Sequence, residues 1–528
     1  MIDPRDAADR LVNWGRLGGD SFKAWRSSGL SVPWRPTVTS RLARDLLVHG
    51  VSPAIGWAAG AARHPDAPAL AGVDGPWLDQ REAEDLTRAA TTYLRAAGLE
   101  PGSTAALLGR NSVGFAIAIA AVARTGADLV YLNPGFSAAQ VADVCDERGV
   151  SLVLADPDLS DRAPTDRVVL DLADPSSWST ADAGYRISPS GGRHLILTSG
   201  TTGRPKGADR SRTPLEAAVS LLSALPYRER GTHVLAAPLF HSWGWLNHRL
   251  AALLDAGEVL VPRPDAATVL DAAEQQPATL IITTPVVIGR LAEAGPGGRD
   301  LSQLSGVLVS GSAIPPDVVA RFADQFGPVL YNLYGSTEVG YASVAAPADL
   351  AAAPDTAGRA LPGVRLSIRS SDGKESPPGR TGEVWVGSAA AFDGYVDGAD
   401  KPRDDGLVAT GDLGLLDETG LLFIRGRADD LIISGGENVH PTEVESVLRG
   451  CPAVVDVAAV GRPDSVYGQA VVAFVVSDAA TTPATVRRDV MAYAREHLAP
   501  YQRPQEVRIV DHLPRNETGK VVRRLLPL

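Results

Sequence analysis

Four hydroxyl side chains, two glycines and one lysine fall within nine residues: Thr198, Ser199, Gly200, Thr201, Thr202, Gly203, Arg204, Pro205 and Lys206. Glycines let backbone N–H groups approach an anion, and the hydroxyls and the ammonium add further donors, so the stretch suits phosphate. It is not a Walker A loop. That pattern closes on Gly-Lys-Ser/Thr, whereas here Pro205, which lacks a backbone N–H, precedes the lysine and Gly207 follows it. A second set lies in YNLYGSTE (331–338), which joins stackable aromatics and hydroxyls to one carboxylate, Glu338. Magnesium takes few carboxylates beside substrate phosphates, and Glu338 suits that role. TGD (410–412) offers Asp412 to sugar hydroxyls, and PRNETGK (514–520) ends on Lys520. Only five of the 50 basic residues are lysines. A compact point charge binds phosphate differently from the arginine fork, so two of these lysines in glycine-rich loops invite a functional reading.

The elements around these groups alternate. Apolar runs such as TAALLG, DLVYL, VSLVLADP, HVLAAP, TLIITTP, LSGVLVSG and VLYNLYG each end in a polar or glycine-rich turn and are separated by helical stretches. This predicts an α/β fold of layered, mainly parallel sheets with helices, whose ligands gather at the carboxyl ends of strands. The pattern predicts an amphipathic helix from Asp85 to about Ala97 and a buried core helix at Val113–Ala123. After Gly358 short strands and turns predict a small β-rich subdomain. From about GRADD (426–430) a small, mobile α+β domain is expected, which gives domains of 1–428 and 429–528.

Composition narrows the class. A net charge of −12 with no Lys/Arg-rich run argues against a nucleic-acid partner. Two distant cysteines, Cys145 and Cys451, exclude a disulfide scaffold and fit a reducing cytoplasm. The longest apolar run is too short to span a bilayer, so no integral membrane segment is expected. Trp14, Phe22 and Trp25 stand near helical spacing and fit packing on the main body, with peripheral membrane contact as the alternative. LGGDSFKA (17–24) resembles a phosphopantetheine attachment motif with Ser21 at the modified position, but too little chain precedes it for a carrier domain.

In order along the chain stand TSGTTGRPKG, PLFHSWG (238–244), SGSAIPP (310–316), YGSTE, GEVWVG, TGD, GRADD, SGGEN (434–438), GRPDSVYGQ and PRNETGK. Together they resemble the adenylate-forming superfamily of acyl-CoA synthetases, luciferases and peptide-synthetase adenylation domains. The resemblance runs from about residue 55 to the C-terminus.

The resemblance implies that a carboxylic acid reacts with ATP to give an acyl-adenylate and pyrophosphate, after which the acyl group passes to a thiol. The loop Thr198–Lys206 would grip the β- and γ-phosphates. Tyr334, in the pair Tyr334-Gly335, would stack on adenine, with Asn332 at its amino edge and Gly311 and Ser312 along one face. Thr337 would contact the α-phosphate, Glu338 would hold Mg²⁺, and Asp412 and Arg427 the ribose hydroxyls. Lys520 would stand between carboxylate and α-phosphate as the catalytic lysine. His241 would sit near the substrate carboxylate, with Trp243 and Trp245 flanking the acyl tunnel or packing in the core. Asp429 would be a hinge, and rotation about it would present Gly435 and Gly436 to the pantetheine arm of coenzyme A. PLFHSWG and YLNPGFS lean toward a fatty acyl-CoA synthetase, with a ligase loading an acyl carrier protein or an aryl acid–CoA ligase as alternatives. Two departures stand out: ADRSRTP follows the phosphate loop, and WLDQREAEDL replaces the usual N-terminal tyrosine-acid-leucine segment.

Overall fold

The protein is described as a computed structural model, covering residues 26, 28–29, 53–178, 188, 192–198, 206–209, 215–392, 394, 401–434, 437–464, 467–478, 481–516 and 519–527. Trp14, Ser21, Phe22 and Trp25 lie outside these residues.

Two large sheets carry the N-terminal body. The first contains β1 (Thr104–Leu108), β2 (Asp128–Leu132), β3 (His194–Thr198) and β4 (Lys206–Asp209) as neighbours in that order. Its pairings are parallel except the last, where β4 runs antiparallel to β3. The second contains β5 (Thr232–Leu235), β6 (Leu280–Thr283), β7 (Gly306–Ser310) and β8 (Leu330–Tyr334), again neighbours and parallel. All four residues of β6 and all five of β7 are buried. Strands buried on both faces read as unbroken apolar runs, which is how LIIT and GVLVS read.

Helices close the layers. Helix α1 (Gln80–Ala96) begins five residues before the expected start because Asp79 caps it: its Oδ1 accepts from Glu82 N at 2.7 Å, and Glu82 Oε2 accepts from Asp79 N at 2.9 Å. Helix α2 (Val113–Thr125) is buried at every position but Val113, as its apolar circumference demands. Helix α3 (Ser242–Leu253) is also largely buried. One continuous core joins residues of α2 and α3 with Leu107 and Tyr131 of the first sheet and Leu235, Leu280 and Leu308 of the second. A second core lies under α4 (Pro285–Ala294), where Val287, Ile288 and Leu291 are buried. Among the described residues no helix is long and apolar enough to cross a membrane.

The β-rich subdomain is antiparallel and includes β9 (Leu407–Leu416) paired with β10 (Leu422–Arg427). TGD therefore lies inside a strand. The last unit has its own core. It packs α5 (Pro441–Arg449) and α6 (Pro483–His497) on a sheet containing β11 (Asp456–Asp464), β12 (Gly468–Val476) and β13 (Glu506–Ile509). The chain is thus a mixed α/β protein with a large N-terminal domain and a small C-terminal one.

Candidate active site

The chain is led to the site by strand ends. Thr198, the last residue of β3, and Lys206, the first of β4, are antiparallel partners, so the two ends of the proposed phosphate loop are held together by the sheet. Ser199, Gly200, Thr201, Thr202 and Gly203 lie outside the described residues, as do Gly435 and Gly436.

At the end of β8, Tyr334 is followed by Gly335, where a Cβ would stand 2.3 Å from Gly340 O. Only glycine lets the turn fold this tightly. The Oη of Tyr334 donates to Asp412 Oδ2 at 2.6 Å. Arg427 lies directly across from Asp412 in the β9–β10 register, with Nη1 3.2 Å from Asp412 Oδ1. Nη1 also donates to Thr410 O at 3.2 Å, and Nε lies 3.1 Å from Asp429. Burial, reinforced by the Asp412 carboxylate, pushes the Tyr334 hydroxyl well above its ordinary range. Burial opposes the charge on Arg427, but Asp412 and Asp429 outweigh it and raise its pKa. Arg427 therefore remains a cation beside two acids. The arrangement brings together Tyr334, Asp412 and Arg427.

Asn332 is half-buried within β8, two residues before Tyr334. Gly311 and Ser312 follow the last residue of β7, in the strand next to β8. Thr337 and Glu338 follow Tyr334 in a turn where Ser336 Oγ accepts from Glu338 N at 3.3 Å and Glu338 O accepts from Phe392 N at 2.8 Å. The backbone of Glu338 is thus pinned on both sides. Among the described residues one cluster has metal-ligand spacing, His64 with Glu229 and Asp255, and Glu338 is not part of it. One carboxylate with a neighbouring hydroxyl fits Mg²⁺, which completes its shell with phosphate oxygens and water, better than it fits a metal needing several side chains.

His241 precedes the first turn of α3. Among the described residues its Nε2 is buried without a hydrogen-bond partner, and burial lowers the ring's pKa to about 4. It is a neutral imidazole at pH 7, with one nitrogen left for a ligand. Trp243 donates from Nε1 to Thr283 O at 3.0 Å, tying α3 to the end of β6. Trp245 donates from Nε1 to Tyr131 Oη at 2.9 Å. Both indoles belong to the core.

Lys520 stands on a tight hairpin. Asn516 N donates to Lys520 O at 2.9 Å, Lys520 N to Asn516 Oδ1 at 2.8 Å, and Arg515 bridges to Val521. Gly519 has φ +81, and a Cβ there would lie 1.7 Å from Val286 Cγ2. Val286 is in the first turn of α4, three residues after Thr283. The lysine hairpin thus reaches the end of β6, to which Trp243 ties the start of α3.

Sequence reasoning passed over one group. Beneath His241, Tyr131 Oη lies 2.7 Å from His194 Nδ1, and the guanidinium of Arg249 sits 4.7 Å from the centre of the Trp245 ring. A single arginine within the mostly apolar run SWGWLNHRLAAL was the available signal.

Comparison with known proteins bears on this geometry. A family model described as AMP-binding enzyme matches residues 57–396, and one described as AMP-binding enzyme C-terminal domain matches 443–520. The chain is 30% identical to a fatty acid–[acyl-carrier-protein] ligase of Streptomyces coeruleorubidus, with 82% of this chain and 88% of that protein aligned. It is 32% identical to an indoleacetate–CoA ligase of Aromatoleum aromaticum, with 84% and 91% aligned. Its fold is similar to that of o-succinylbenzoate CoA synthetase from Bacillus subtilis in complex with an acyl-adenylate. There the TM-score is 0.80 at 26% identity, with 89% of this chain and 97% of that one covered. The same Bacillus enzyme is also known in complex with ATP and a magnesium ion.

Proposed function

The chain belongs to the AMP-binding enzyme family and is an adenylate-forming acid–thiol ligase, and from that footing we propose that it is a fatty acid–CoA ligase. The observation that carries the reading is the approach of the Lys520 hairpin to the first turn of α4, together with Tyr334 at the end of β8 bonded to Asp412, which faces Arg427 across β9 and β10.

In the first half-reaction a carboxylate oxygen of the acid bonds to the α-phosphorus of ATP, and the bond to the β-phosphate oxygen breaks, releasing pyrophosphate. The carboxylate is ionised at neutral pH and needs no general base. What opposes the step is repulsion between two anions. In this reading the Lys520 ammonium stands between them and His241 steadies the carboxylate through Nε2. Tyr334 and Asn332 hold the adenine, Gly311 and Ser312 one face of it, and Asp412 with Arg427 the ribose. Thr198–Lys206 hold the leaving phosphates, Thr337 contacts the α-phosphate, and Glu338 would hold a magnesium ion, which when bound would screen the phosphate charge.

In the second half-reaction the sulfur of coenzyme A bonds to the acyl carbon, the bond to the AMP oxygen breaks, and AMP leaves. Residues 429–528 would turn about Asp429, withdrawing Lys520 and bringing Gly435 and Gly436 to the thiol's path, so one site is used twice. A carrier-protein acceptor is the second reading, supported by the likeness to a fatty acid–[acyl-carrier-protein] ligase.

The test is formation of AMP and acyl-CoA from ATP, Mg²⁺ and a panel of aliphatic and aryl acids, with and without coenzyme A. Acyl-CoA from aliphatic acids supports the reading. Adenylate that accumulates and ignores coenzyme A supports the carrier-protein alternative, and turnover of aryl acids alone overturns the fatty-acid assignment.

A further inference from the structure

Two large buried arginines of this protein are treated differently by their surroundings. Arg124 is fully buried and satisfied: its guanidinium meets Glu84 at 2.6 Å and donates to the carbonyls of Ala54 and Ile55. Arg249 is 6% exposed, yet among the described residues neither Nη1 nor Nη2 has a hydrogen-bond partner and no carboxylate pairs with it. Burial lowers its pKa to about 9, so it is still a cation at neutral pH. A buried guanidinium stacked on one indole ring has part of its charge stabilised but none of its donors used.

The position of Arg249 says which anion it awaits. Trp245 and Arg249 stand four apart in α3 and so share one face, and His241, the residue that caps the helix, stands four before Trp245. Arginine side chains in helices reach back toward the N-terminus, and this one reaches Trp245, so the guanidinium lies roughly 5–11 Å below His241, one to two helical turns. It faces His194, whose pKa is lowered by burial and by Arg249. His194 opens β3 and Thr198 closes it, about 13 Å further on at the rise of an extended strand. The guanidinium is therefore near the opposite end of β3 from the phosphate loop.

We propose that Arg249 is a specificity residue that pairs with a second carboxylate at the far end of the acid, so that the preferred substrate is an α,ω-dicarboxylic fatty acid. The inference rests on the ligase reading above and narrows it. One carboxylate would be activated beside His241 while the other accepts from Nη1 and Nη2 of Arg249 in the forked geometry that suits a guanidinium. A plain alkyl tail would leave those donors buried and unused.

The experiment measures pyrophosphate release by the full-length protein with chain-matched mono- and dicarboxylic acids, for wild type, Arg249→Met and Arg249→Lys. Wild type is expected to favour the diacids in kcat/KM by more than about tenfold. Arg249→Met should lose about 100-fold on diacids and change little on monoacids, with Arg249→Lys between them, as loss of one partner of a buried charge pair predicts. Indifference of the wild type to the second carboxylate, or an equal loss on both series in both variants, overturns the proposal. If no acid releases pyrophosphate, the ligase reading falls. The anion subsite is then judged by thermal shift alone: a diacid must stabilise wild type and not Arg249→Met, and absence of the shift in wild type overturns it. Should Arg249→Met not fold, Arg249→Lys decides the same contrast.

Discussion

Tyr334 and Asp412 come from different sheets, and a 2.6 Å hydrogen bond from the phenol to the carboxylate joins them. The bond fixes an aromatic ring from the nine-stranded sheet against an acid of the β-rich subdomain. Tyr334→Phe keeps the ring and removes the bond. Leaving a partly buried acceptor unmet costs about 1–3 kcal/mol. The expected outcome is a KM for ATP raised by roughly 5–160-fold, the range those energies imply, with the KM for the acid little changed. Initial rates at varied ATP and fixed acid check it. An equal rise in both constants contradicts a nucleotide role for this pair.

Lys520→Ala is expected to slow adenylate formation by about 10²–10³, the usual cost of removing one preorganised charge contact to a transition state. Transfer from a supplied acyl-adenylate to coenzyme A should continue at close to the wild-type rate. Measuring the two half-reactions separately is the check, since a general folding defect would lower both.

Glu338→Gln should raise the Mg²⁺ concentration needed for half-maximal pyrophosphate release by at least about tenfold, because a carboxylate is replaced by a neutral amide at a hard cation. Chelation by EDTA should abolish release in both proteins, and excess Mg²⁺ should restore the wild type first. An unchanged Mg²⁺ requirement in the variant rules out Glu338 as the metal's anchor.

His233 is fully buried, both ring nitrogens lack hydrogen-bond partners among the described residues, and burial lowers its pKa to about 4. Unfolded, the ring titrates near 6.5, so between pH 6.5 and 4 the unfolded chain binds the extra proton and acid favours unfolding. His233→Phe removes that linkage. Relative to the variant, wild type should lose up to about 1.4 kcal/mol per pH unit as pH falls through this window, and nothing above it. Denaturant melts of both proteins at several pH values provide the comparison; parallel curves would mean the ring is solvated in the native state.

Much of this architecture was legible because local chemistry and global fold agree. The unbroken apolar runs LIIT and GVLVS became fully buried parallel strands, and the apolar stretch at 113–123 became a helix buried nearly all round. Where local signals competed, the reading slipped. The charged WLDQREAEDL hides a capping box, Asp79 with Glu82, so the helix begins five residues before its apolar periodicity shows. TGD reads as a turn by composition, yet pairing with β10 draws it into a strand and sets Asp412 opposite Arg427. Arg249 was not legible as a site residue at all. Its meaning depends on Tyr131 and His194, which come from two strands far away in the chain and meet it only in the folded core.

The meeting of Gly519 with Val286 has a thermodynamic consequence. A backbone leaning on one methyl group buries so little apolar area that it contributes under about 1 kcal/mol. Such a contact sets position without setting commitment. Under the proposed rotation, a bound nucleotide or thiol that prefers one placement of the Lys520 hairpin by even a few kcal/mol would shift which placement is populated, so in that mechanism the ligands set the balance between the two half-reactions.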